Sequence, residues 1–157
     1  MMNSFKKIYP HLIALIVFLF LSVFVYFLPV LKGKDIKQMD ITHTKGMSKE
    51  LMDYKAKTGR VAQWTNSMFS GMPSYYIMGS KETNIFNHLT YAVRVGLPGN
   101  TVAIIFSFFI AYYILFFSLK FDVWLSIIGA LAASFVSYNL IIIEVGHVTK
   151  AYAMAFI

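Results

Sequence analysis

Residues 101–143 read TVAIIFSFFIAYYILFFSLKFDVWLSIIGALAASFVSYNLIII. The first nineteen positions, 101–119, carry no charge, and neither do the twenty-one of 123–143. Only Lys120-Phe121-Asp122 separates them. At a rise of about 1.5 Å per residue, roughly 20 apolar residues cross the ~30 Å hydrocarbon core of a bilayer. Each segment therefore predicts a membrane-crossing helix, and the short break predicts a tight hairpin. The second segment also carries Gly129, Ala133 and Ser137 at i, i+4 and i+8, with Ser126, Ala130 and Ser134 in the next row. Small residues at that spacing let helix backbones approach closely in lipid, so this helix is expected to pack inside a bundle.

Outward from the hairpin, the pattern repeats. Residues 12–31 form another uncharged run of twenty, preceded by Lys6, Lys7 and His11. A secretory signal has an apolar stretch of only about 7–15 residues and ends at small residues, whereas this run ends Leu28-Pro29-Val30-Leu31-Lys32. An uncleaved anchor is expected. After Lys150, Ala-Tyr-Ala-Met-Ala-Phe-Ile157 opens a fourth apolar run. The expected fold is an all-α integral membrane architecture of three transmembrane helices plus a truncated fourth, the front end of a larger protein. Its third helix would pack against the remaining transmembrane helices of the full-length chain.

Composition points the same way. Of 157 residues, 58% are hydrophobic, 17% aromatic and 13% charged, and the mean hydropathy is +0.64. An aqueous domain averages about 45–50% apolar and about 25% charged, so too little polar surface is present to cover a soluble globule. The absence of cysteine removes disulfides, thiolate metal sites and cysteine nucleophiles. The net charge of +7 suggests anionic membrane lipid as a partner, and not nucleic acid.

Four regions follow. Residues 1–31 are the N-terminus and first span, 32–100 an intervening loop, 101–143 the helical hairpin, and 144–157 the segment leading into the fourth run. Lys6, Lys7 and Lys120 fall on one side of three crossings, which the positive-inside rule assigns to the cytoplasm. The loop 32–100 is then outside. It holds ten Lys/Arg and five acids, but loops longer than about 60 residues translocate largely regardless of charge.

Within that loop, residues 47–58 predict a helix with Met47, Leu51, Tyr54 and Thr58 on one face, an Asp53–Lys57 pair, and Gly59 as the left-handed cap. Residues 85–95 predict a second, amphipathic helix with Ile85, Leu89, Ala92 and Val93 inward, Asn84 as N-cap and Gly96-Leu97-Pro98 as terminator. Directly before a span, such a helix is expected to lie along the membrane surface. Between them lies an aromatic-rich stretch from Trp64 to Tyr76 with a turn at Gly71-Met-Pro73.

Three groups could carry chemistry. Asp40 follows the first span by nine residues; a carboxylate there could act as a general base toward a hydroxyl, or be a solvated loop aspartate. Glu144, His147 and Lys150 cluster at the end of the third span, either as functional groups or as side chains reaching toward headgroups. Glu144-X-X-His147 has the spacing of a di-iron ligand pair, but a second such pair and two further glutamates are missing. Trp64, Tyr75 and Tyr76 could stack on a sugar or form an interfacial belt. His43 and His88 read as surface positions.

The order of an N-terminal span, Gln38-Met-Asp40, Lys45-Gly-Met-Ser-Lys-Glu50, Trp64-Thr-Asn-Ser-Met-Phe-Ser-Gly-Met-Pro73 and Glu144-Val-Gly-His-Val-Thr-Lys150 resembles the start of bacterial YfhO-family membrane proteins, in their Bacteroidetes form. The resemblance implies a relative of the GT-C glycosyltransferases in the bacterial plasma membrane. Those enzymes move sugar from a polyprenyl-phosphate-linked donor to an acceptor at the outer face. It implies Asp40 as the essential carboxylate of the first outer loop, the catalytic residue, serving as base. It also implies Glu144, His147, Lys150, Trp64 and Asn66 as substrate-binding residues. Val148 stands where the family's Gly-His-Asn-X-Lys string has asparagine, and Tyr152 where a histidine is expected. No organic cofactor is implied, no metal ligand is assigned, and a divalent ion stays open. The alternative expectation is a non-enzymatic transporter or flippase for lipid-linked glycans, and a third is a small three-span subunit.

Overall fold

The computed structural model describes residues 2–26, 28–34, 36–78 and 85–157. It is mostly helical: α1 (Met2–Phe20), α2 (Leu28–Leu31), α3 (Met39–Met47), α4 (Lys49–Thr58), α5 (Ile85–Arg94), α6 (Val102–Ser118), α7 (Val123–Ser134), α8 (Ser137–Val145) and α9 (Val148–Phe156). One two-stranded antiparallel ribbon, β1 (Trp64–Thr65) with β2 (Met72–Pro73), pairs Trp64 with Pro73 and Thr65 with Met72.

The expected hairpin forms, and α6 is its centre. Residues from Val102 to Phe109, with Tyr113, are buried along it. Ala14 and Phe18 of α1, Ile127 and Ala130 of α7, Ile142 and Ile143 of α8, and Ala151 and Tyr152 of α9 close the core around them. Phe18 stacks on Phe109 at 5.3 Å between ring centroids, and Phe109 meets Phe135 edge-on at 5.2 Å. Ser126, Ala130 and Ser134 are fully buried, as their spacing predicts. At Gly129 a Cβ would touch the Phe116 ring at 3.0 Å, so α6 and α7 are nearly at closest approach. The reversal is set by Lys120, at φ +66°, and by Asp122, which accepts hydrogen bonds from the Trp124 and Leu125 amides as N-cap of α7.

The mostly helical chain agrees with the all-α part of the expectation. No single described helix is long and apolar enough to cross a membrane, although α7 and α8 meet that criterion together as a pair bent by 52°. The bend has a cause in the sequence. The Asn139 side chain donates to the Ala133 and Ser134 carbonyls, which the interrupted helix leaves without amide partners. Residues 12–31 also differ from one regular helix: α1 passes into a π-helical segment, Leu21–Tyr26, before α2. Pro29 has no N–H for the carbonyl four residues back, and a widened turn accommodates that loss.

In the long loop, helical structure begins earlier than residue 47. Residues 39–58 fold as two helices joined at Ser48, and α4 ends at Gly59 with φ +69° as expected. Leu51 is buried, whereas Tyr54 is exposed. Helix α5 covers the expected second segment, but Ile85 and Leu89 face away from the protein core, 80% and 47% exposed. Asn84, the expected N-cap, lies outside the described residues. The expected turn at Gly71-Met-Pro73 is displaced: Gly71 N–H bonds to the Met68 carbonyl, and Met72 and Pro73 form β2.

Candidate functional site

Asp40 is not a loop residue. It occupies the first turn of α3, where unpaired amides and the positive end of the helix dipole favour a carboxylate. His147 sits between α8 and α9, as the residue that begins the latter. The fold brings the two together across 107 positions of sequence: His147 Nδ1 lies 2.6 Å from Asp40 Oδ2. Among the described residues this is the one ion-pair contact within 4 Å. Both side chains are roughly half exposed, at 49% and 41%.

Three local features fix this pair. Gly146 closes α8 at φ +97°, a conformation that returns the chain into α9 and that side chains rarely adopt. A Cβ there would stand 2.9 Å from the Cβ of Gln38 and 3.2 Å from Ile41 Cγ1, so the first turn of α3 rests directly on this glycine. Gln38, buried immediately before α3, donates through Nε2 to the Ile143 carbonyl at 2.5 Å and the Asn100 carbonyl at 2.9 Å. Those bonds tie α3 to the end of α8 and to the approach of α6. Gln38 figures in the sequence only as the first residue of the Gln38-Met-Asp40 string, with no role expected of it.

The other expected site residues are distributed around the pair. Lys150 Nζ lies 5.2 Å from the Tyr138 ring centroid, packed on α8. Glu144 is exposed and forms no ion pair among the described residues. Trp64 lies in β1 and Asn66 directly follows that strand, both anchored near the far end of α3, roughly 10 Å along the helix from Asp40 at ~1.5 Å per residue. There Glu50 accepts hydrogen bonds from Thr65 Oγ1 at 2.5 Å and the Asn66 amide at 2.9 Å, while Ser67 Oγ donates to the Met47 carbonyl. The bonds from the Thr65 hydroxyl first, and then from the Asn66 amide, hold the Glu50 carboxyl below the usual range. The Trp64 ring lies over Gly71, where a Cβ would meet it at 2.6 Å.

A groove of about 620 Å³ runs along α3 beside the pair, lined by Asp40, Thr42, His43, Thr44, Gly46 and Met47. It offers hydroxyl, imidazole and carboxylate groups to a polar ligand. Asp40 and His147 supply two potential metal ligands, and no group of three or more His, Asp or Glu side chains converges among the described residues. A second polar knot adjoins the first through the chain between α5 and α6. The Tyr152 hydroxyl donates to the Gly99 carbonyl at 2.7 Å and accepts from Arg94 Nε at 3.1 Å. No protein-family model, curated protein or solved structure matches this chain.

Proposed function

We propose that the chain belongs to a multi-pass membrane protein that transfers sugar from a polyprenyl-phosphate-linked donor at the outer face, with Asp40 as base and His147 as its partner. The observation that carries this reading is the 2.6 Å contact between the two. A carboxylate alone in a loop would be an ordinary solvated group. One seated at a helix start, bonded to an imidazole and held by a glycine and a buried glutamine, is organised for proton transfer.

In the proposed step the imidazole Nδ1–H donates to one carboxylate oxygen and leaves the other for the acceptor hydroxyl. The hydroxyl oxygen attacks the anomeric carbon as its proton passes to the pair. The bond from that carbon to the phosphate oxygen breaks, and its electrons leave on the lipid phosphate. The open face of α3 sets Asp40 beside Thr42, His43 and Thr44, polar groups that an acceptor can approach from solvent.

Placement at a membrane is part of the proposal. It is supported by the three uncharged segments and by the apolar stripe of α5, where Ile85 and Leu89 are turned outward from the described core. The test is sugar transfer in membrane vesicles from cells producing the protein. Asp40→Asn should reduce transfer at least 100-fold with unchanged insertion; wild-type rates in that variant exclude Asp40 as the base.

A further inference from the structure

Arg94 is the cation that the sequence reading passed over. It lies in the last turn of α5, about half a turn round the helix from Ile85 and the apolar stripe, on the side facing α6 and α9. Its Cζ stands 5.2 Å from the Tyr91 ring centroid and 5.1 Å from that of Tyr152. Nε donates to the Tyr152 hydroxyl, which in turn donates to the Gly99 carbonyl. Gly99 provides the seat: a Cβ there would come within 2.7 Å of Nη1 and 2.9 Å of Cζ. The guanidinium is thus oriented by two rings and one hydrogen bond, half-buried, with no carboxylate within 4 Å among the described residues.

This cation is joined to the Asp40–His147 pair by one short stretch of chain. Tyr152 holds the carbonyl of Gly99, and Gln38, two residues before Asp40, holds the carbonyl of Asn100. Tyr152 lies on α9, five residues after His147, which caps the start of that helix. Nε is spent on a neutral hydroxyl, so the always-charged fork has no anionic partner among the described residues, and its remaining N–H donors match phosphate oxygens bidentately. Lys150, one of the expected substrate-binding residues, lies over the Tyr138 ring.

We infer that Arg94, seated on Gly99 between Tyr91 and Tyr152, is a phosphate-binding residue that receives the phosphate group of the ligand. The assignment of that ligand as a sugar donor rests on the function proposed above; the anion site itself does not.

Binding is measured by calorimetry on the purified chain in uncharged detergent, with dodecyl phosphate as the probe and dodecanol and inorganic phosphate as comparators. Arg94→Gln should weaken dodecyl phosphate binding at least tenfold, with Lys57→Gln, a charge loss on exposed α4, within twofold of wild type. Gly99→Ala keeps the charge and pushes the guanidinium off its seat, and should weaken binding at least fivefold; it decides the matter should Arg94→Gln fail to fold. Competition by inorganic phosphate identifies the headgroup alone as sufficient, and its failure identifies a lipid phosphate; both support the site. Retained phosphate binding in a protein that transfers no sugar removes the transferase reading and leaves the site standing. Wild-type affinity in both variants, or equal binding of dodecanol, overturns it.

Discussion

Asp40 and His147 gain their meaning from residues that do no chemistry. Gly146 is the most restrictive, because its conformation and the close approach of Gln38 and Ile41 exclude a side chain together. Gly146→Ala should cost about 1–3 kcal/mol of stability for the unfavourable backbone alone. It should also separate the pair, so transfer should fall at least tenfold even where thermal unfolding in detergent shows a folded protein. Ser134 offers an opposite case. Its hydroxyl is buried with no hydrogen-bond partner among the described residues. Ser134→Ala should leave the melting temperature unchanged or raise it by an amount corresponding to about 1 kcal/mol, since an unsatisfied buried hydroxyl costs about that much. Glu50 contributes through its charge. Its carboxyl titrates below the ordinary value of 4.5 because ionised Glu50 accepts from Thr65 and Asn66. A depressed folded value means that this contribution is present above about pH 4.5 and is lost as pH falls through the lower folded value. In a Trp124→Phe background, Trp64 fluorescence should therefore change in that acid range, and Glu50→Gln should abolish the change.

At the scale of elements, what was legible in the sequence was whatever depends on local pattern. The uncharged runs gave α6 and α7 and the turn between them. The row Ser126, Ala130 and Ser134 gave the face of α7 that packs, and Gly59 gave the end of α4. What was missed depends on side chains bonding to distant or interrupted backbone. The sequence Asp40-Ile-Thr-His-Thr-Lys-Gly46 has β-branched residues and a glycine, poor helix formers in isolation, so α3 was not anticipated. It forms because Gln38 fastens its start to the ends of α6 and α8. The break between α7 and α8 was hidden because Phe135 and Val136 are ordinary apolar residues; the signal was Asn139, three positions on. Asn139→Leu should remove the side-chain bonds that cap α7. Spin labels at the exposed positions Ile128 and Ile141 should then report a longer, broader distance distribution than in the parent protein. An unchanged distribution assigns the 52° bend to packing instead.

The molecule as a whole divides into an apolar helical core and a basic loop that supplies most of the polar groups near the pair. Of the net charge of +7, the loop 32–100 carries +5. Its helix α5 turns an apolar stripe outward and Arg94 inward, an orientation suited to a helix lying on lipid while its cation faces the protein. The absence of native cysteine makes the proposed orientation directly measurable. A membrane-impermeant maleimide should label Arg60→Cys in intact cells stripped of outer barriers, and should label Lys120→Cys only after the membrane is opened. The central claim is that Asp40 and His147 act as one unit, and a double-mutant cycle on sugar transfer in membrane vesicles tests it most directly. Asp40→Asn and His147→Gln should each reduce the rate strongly, and the double variant should be no more than about threefold slower than the slower single. Losses that multiply, or a single variant at the wild-type rate, would contradict it.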